Sequence, residues 1–184
     1  MTVFISLLRG INVSGHNMIK MAELKALYES LGFKNVTTYI QSGNVVFLTD
    51  KDDPELAEKT IENAIQKRFS SVVTVIIRRP EELGCVIKAN PFHGSKGVDE
   101  ERLYVTFLRS KPSAAVAKAL VPAAAKSPDQ YEIKGREVYL YCPNGYGKTL
   151  LSNTFFEKKL RIMASTRNWK TVNTLYAMAS HTAE

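Results

Sequence analysis

What most constrains the fold of this chain is the order in which its apolar patterns occur. Short runs with strand-like alternation and longer runs with helical spacing follow one another in one order, and that order occurs twice. TVFISLL (2–8) reads as a strand. MIKMAELKALYESLG (18–32) reads as a helix, with Met21, Leu24, Leu27, Tyr28 and Leu31 on one face and Gly32 as its stop. VTTYI (36–40) and NVVFLT (44–49) are strands around a QSGN turn. DDPELAEKTIENAIQKRF (52–69) opens with an Asp cap and carries Pro54 in its first turn, which is helix-start chemistry. VVTVIIR (72–78) is a fourth strand and EELGCVIKA (81–89) a short helix.

NPFHGSKGVDEE (90–101), rich in Gly, Pro and charge, reads as a boundary. After it come a strand RLYVTFL (102–108), a helix PSAAVAKALV (112–121) broken at Pro122, a hairpin QYEIKG and EVYLYC (130–142), a helix KTLLSNTFFEKKLRI (148–162), a strand ASTRNW (164–169) and a helix KTVNTLYAMAS (170–180). ISLLRG (5–10) resembles VTFLRS (105–110), which supports an internal repeat. A β-α-β-β-α-β order is the ferredoxin-like arrangement, an antiparallel sheet with both helices on one face. The expected fold is therefore α+β: two tandem ferredoxin-like units, 1–92 and 93–184, each with an antiparallel sheet and an additional C-terminal helix.

Composition narrows the partners. Lys and Arg number 25 against 18 Asp and Glu, a net charge of +7. Residues 1–97 hold 12 basic and 10 acidic side chains, and residues 98–184 hold 13 and 8, so a basic surface is expected on the second half. Cys85 and Cys142 fit no metal spacing and no CxxC motif, as for free thiols in a reducing cytoplasm. No metal and no cofactor are expected. No apolar run reaches the roughly 20 residues of a membrane helix, and the first apolar run lacks a basic lead-in, so neither a membrane partner nor a signal peptide is expected.

Topology gathers polar residues into two clusters. The end of the first strand and the turn between the second and third share one sheet edge, placing Arg9, Asn12 and His16 near Gln41, Ser42 and Asn44. In the second unit the loop entering the later helix lies at the opposite edge, near the start of the last strand. That brings Asn144, Tyr146, Lys148 and Thr149 towards Thr166, Arg167 and Asn168. PNGYGKTLL matches a P-loop only at Gly147, Lys148 and Thr149, and Cys142 stands where its first Gly belongs. A weaker reading is a Gly-rich loop at a helix N-terminus that holds an anion through backbone N–H groups. KGREVYLY (134–141) matches an RNA-recognition signature at its Lys, Gly and last aromatic, while Arg136 and Val138 replace the aromatics that stack on bases. No nucleophile elbow and no carboxylate pair stand out, so catalysis is left open. Trp169 is expected to anchor the final helix in the core.

LLRGINVSGHN, GFKNVTTYIQSGNVVF, NPF, YLYCPNGYGKTLL and STRNW together resemble a bacterial family known as domain of unknown function number 1697. The resemblance implies a duplicated α+β fold in a small cytoplasmic protein and brings no activity, cofactor or catalytic residue. Ser14 and His16 stand where that family usually has Gly and Lys, which weakens any anion contact there at neutral pH. The expected function is binding of a small anionic ligand, a nucleotide or phosphorylated metabolite, through Arg9, Asn12, Gln41, Ser42, Asn44, Lys148, Thr149, Arg167 and Asn168. The alternatives are nucleic-acid binding through the basic second half and a protein interaction or dimerisation module.

Overall fold

The computed structural model describes residues 1–118, 120 and 128–182. They form an α+β fold with two four-stranded antiparallel sheets and six α-helices among the described residues. The first sheet comprises β1 (Thr2–Leu8), β2 (Lys34–Tyr39), β3 (Asn44–Thr49) and β4 (Val75–Arg78) in the order β2-β3-β1-β4, with α1 (Met21–Ser30) and α2 (Pro54–Phe69) in the connections. α3 (Pro80–Ala89) follows. The second sheet comprises β5 (Leu103–Leu108), β6 (Gln130–Lys134), β7 (Glu137–Tyr141) and β8 (Ala164–Asn168) in the order β6-β7-β5-β8. α4 (Ala114–Lys118) and α5 (Asn153–Leu160) lie in its connections, and α6 (Trp169–Thr182) closes the chain.

Corresponding strands pair in corresponding register. Ile5 stands opposite Val46 and Arg78, and Val105 stands opposite Tyr139 and Arg167. Each sheet thus carries an arginine at the same place, and both are buried, Arg78 at 0% and Arg167 at 7% exposure. α2 and α5 also end alike, on Lys67-Arg68-Phe69 and Lys158-Lys159-Leu160, each followed by a left-handed residue, Ser70 and Arg161.

Apolar alternation accounts for the cores. Phe4, Leu8, Val45, Phe47, Val75 and Ile77 pack with Leu24, Leu27, Tyr28, Ile61 and Ile65 of the two helices. Ser6 reaches the same layer and is satisfied by Tyr28, Oγ to Oη 2.8 Å. In the second unit Leu108, Val138, Leu140, Cys142 and Ala164 pack with Phe156 and Leu160. The alternate strand residues, Ile5, Leu7, Val46 and Ile76 in one sheet and Val105, Phe107 and Tyr139 in the other, are also buried. Both sheet faces are therefore covered. An RNA-recognition surface needs exposed aromatics on one face; here Phe4 belongs to the helix-side core and Tyr139 is 2% exposed.

The chain forms two compact units that divide otherwise than at 92/93. One is Met1–Cys85 together with the chain from Thr174, and the other is Val86–Asn173. The split falls inside α3, and α6 begins in the second unit and ends in the first. Helix starts follow local chemistry: Asp53 caps α2 through its Oδ1, 3.0 Å from Leu56 N, with Pro54 as first residue. The expected helix 148–162 is shorter. A 3₁₀ turn occupies Tyr146–Lys148, and α5 starts only after Ser152, which caps it at Phe155 N. The predicted extension of α4 to Val121 and its break at Pro122 lie outside the described residues.

Candidate functional site

The RGIN and QSGN segments do meet at one edge of the first sheet. Leu8 N donates to Gly43 O and Arg9 N to Thr74 O, at 2.8 and 2.9 Å. The loop from Gly10 to Asn17 is built from left-handed residues: Gly10, Asn12, Ser14, Gly15 and Asn17 all have positive φ. Glycine adopts that conformation freely and asparagine at small cost, which explains this composition. The side chains are then spent on the loop. Asn12 Nδ2 donates to Ile19 O at 2.9 Å and Gln41 O at 2.8 Å, while its Oδ1 accepts from Ile19 N at 2.8 Å. Both amide hydrogens are committed. Asn44 is fully buried and donates to Tyr39 O and Ser42 Oγ, both at 3.0 Å. Asn12, Ser42 and Asn44 are thus brought together as predicted, but as clamps on a loop and a turn. Gln41 contributes a backbone acceptor and leaves its side chain at an exposed position; Arg9 is half-buried.

In the second unit the post-β7 loop does approach β8, beside its end and not its start, because α5 runs back across the sheet before β8 begins. Tyr146 Oη donates to Thr166 Oγ1 at 3.0 Å and accepts from Asn153 N at 3.1 Å. Its ring lies 5.2 Å from that of Tyr104. Thr149 Oγ1 donates to Asp129 Oδ2 at 2.5 Å and accepts from Leu151 N at 3.0 Å. Its hydroxyl fixes the turn, and Lys148 stands exposed five residues before α5, away from any helix start. Burial pushes the Cys142 thiol beneath this loop up to about 11, with the Thr149 hydrogen bond opposing and the Asp129 charge adding. Arg167 Nη1 donates to Ser165 Oγ at 2.8 Å and Thr166 O at 2.9 Å. Burial draws its guanidinium down to about 10, Tyr146 opposing, so it stays cationic at neutral pH. Asn168 Oδ1 accepts from Thr171 N at 2.8 Å, capping α6.

Asn168 also leads to a feature that sequence reasoning missed. At this edge of the second unit lies a cleft of about 470 Å³ lined by His93, Glu100, Glu101, Asn168, Trp169, Lys170 and Asn173. NPF turns the chain just ahead of the cleft: Asn90 Oδ1 accepts from Phe92 N and Phe92 O from Ser95 N, and His93 within that turn lines the cleft. His93 Nδ1 lies 2.6 Å from Glu100 Oε1, and its ring centroid is 5.4 Å from that of Trp169. The carboxylate accepts from Nδ1–H, so Nε2 is the ring nitrogen not engaged by Glu100. Both partners are about half exposed, at 49% and 50% of their side chains. Trp169 is 5% exposed and anchors the start of α6 as expected. The two asparagines are only half used. Among the described residues Asn168 keeps its Nδ2 donors after capping, and Asn173 keeps its Oδ1 after donating to Trp169 O at 2.8 Å. Nothing in the spacing of His93 and Glu100 announces the pair, because a glycine-rich loop decides their approach. Among the described residues no group of three or more His, Cys, Asp or Glu is placed to hold a metal ion, and no helix is long and apolar enough to cross a membrane.

The family model described as a protein of unknown function (DUF1697) matches residues 1–139. No curated protein matches the chain. Among solved structures, the conserved bacterial protein SP0830 from Streptococcus pneumoniae is similar in fold, with a TM-score of 0.75 at 22% identity, covering 97% of this chain and 98% of that one.

Proposed function

The chain belongs to the family of proteins of unknown function DUF1697, and for it we propose binding of a small polar ligand in the cleft beside Trp169. The observation that carries the proposal is the convergence of unused hydrogen-bonding groups in one cavity of ligand size: Asn168 Nδ2, Asn173 Oδ1, the Glu101 carboxylate and His93 Nε2. Two carboxylates against one ammonium in the lining do not suit a bare phosphate. The ligand we propose carries hydroxyl or amine donors for Glu100, Glu101 and His93, and an acceptor for Asn168. A substrate proton within hydrogen-bond reach of His93 Nε2 would make that imidazole a general base. Of the residues expected from sequence, Asn168 is retained in this site. Trp169 is the single tryptophan of the chain, so its emission is a direct reporter. Titration with a panel of polyols, amino acids, nucleosides and phosphorylated metabolites is expected to give a saturable change with one class, weakened at least tenfold in Asn173→Ala.

We further propose that the two units are ferredoxin-like copies of one ancestral unit. Matching strand register, the shared buried arginine and the like ends of α2 and α5 support this reading.

A further inference from the structure

Taking the units as the structure divides them sharpens the charge asymmetry. Residues 86–173 carry 15 Lys and Arg against 7 Asp and Glu, a net +8, while the remainder carries 10 against 11, a net −1. The excess is not spread evenly over the second unit. At the sheet edge opposite the cleft, three segments are tied together by backbone hydrogen bonds, Leu108 N to Arg136 O at 2.8 Å and Arg109 N to Met163 O at 2.9 Å. Those segments and the adjoining end of α5 present Lys111, Lys158, Lys159 and Arg161, all exposed. None of these four has an acidic or hydrogen-bonding side-chain partner among the described residues, whereas Lys134 on the same edge is engaged by Glu132 and Ala89 O. Lysines in the last turn of α5 suit a helix C-terminus on their own account. That reason also reaches Arg161, the left-handed C-cap of α5, but it does not reach Lys111, which precedes α4.

Four unpaired cations along one edge do not converge on a point, so they fit a repeating anion better than a single one. We infer that this edge of the second unit is an interface for the phosphate backbone of nucleic acid, read by charge and not by base sequence. The inference is independent of the cleft. It calls for an affinity that falls with salt at a log–log slope of about −3.6 for four duplex phosphates, a loss of roughly 150-fold between 50 and 200 mM salt.

The test is fluorescence anisotropy of the full chain with a 20-base-pair duplex of arbitrary sequence, and with one of its strands alone, across that salt range. The quadruple variant Lys111→Gln, Lys158→Gln, Lys159→Gln, Arg161→Gln is compared with Lys25→Gln, Lys34→Gln, Lys51→Gln, Lys59→Gln. The second removes equal charge from the other unit. Thermal melts confirm that both variants fold. Loss of at least 30-fold in the first variant, with under threefold in the second, supports the interface. Equal losses would reduce the effect to net charge and overturn it. Absence of binding by the unaltered chain at 50 mM salt, or a flat salt response, overturns it as well. Preference for duplex or single strand identifies the form of nucleic acid held.

Discussion

Substitution Asn12→Ala separates a ligand residue from a structural clamp. The side chain makes three hydrogen bonds of 2.8–2.9 Å, two to Ile19 and one to Gln41 O. Each is worth about 0.5–1.5 kcal/mol net, with the exposed Gln41 bond at the low end. Alanine must also adopt φ near +54°, at a further cost of about 1–2 kcal/mol. The expected loss is about 2.5–5.5 kcal/mol, or roughly 5–20 °C in Tm for a chain of this size. Asn12→Gly keeps the backbone conformation and loses only the bonds, so it should fall short of alanine by about 1 kcal/mol. Asn12→Asp keeps the acceptor for Ile19 N and forfeits the two donors, giving an intermediate loss. Urea denaturation with Tm by circular dichroism measures all three. Should Asn12→Ala melt with the unaltered chain, the clamp reasoning fails and Asn12 returns as a ligand residue.

Other consequences follow from the same geometry. Thr149→Val removes the donor to Asp129, which is 9% exposed, and the acceptor for Leu151 N; a loss of about 1–3 kcal/mol is expected in denaturant titration. Asn168→Ala removes the α6 cap and should lower stability by about 1 kcal/mol, whereas Asn168→Asp should hold it. Cys142 binds its proton more tightly folded, near 11, than unfolded, near 9. Its contribution is complete below pH 9 and lost as pH rises towards 11, so Tm should fall across that interval less steeply in Cys142→Ala. Asp52 is held below the usual carboxylate range chiefly by its hydrogen bond to Arg79. The stability it lends is present above the unfolded pKa and lost as pH falls through the folded one, so Asp52→Asn should flatten the acid limb of the melting profile.

Much of the architecture was legible because it rests on local periodicity. The Asp53-Pro54 start, the apolar face of α1 and the Leu-Arg ends of β1 and β5 each follow from residues a few positions apart. The return of α6 to the first unit was not legible, since its amphipathic pattern does not say which sheet it serves. Nor was the delay of α5 to Asn153: KTLLS has helical composition, and only the Thr149 turn and the burial of Leu151 interrupt it. The site residues show the deeper difficulty. Asn12, Asn44 and Asn168 carry amides that hydrogen-bond a backbone as readily as a ligand, and the choice depends on tertiary distances. Topology placed Arg9, Asn12 and Asn44 at one edge correctly, yet could not show that the loop itself consumes Asn12 and Asn44. His93 and Glu100 met through a loop whose path no spacing encodes.

The most direct test of the central claim is the emission of Trp169 during titration with the small-molecule panel, repeated in Asn173→Ala and in His93→Gln. The account predicts a saturable change with one chemical class, weakened in both variants while their Tm values stay within 2–3 °C of the unaltered chain. Emission indifferent to the whole panel, or a response that survives both substitutions, would contradict a ligand site in this cleft.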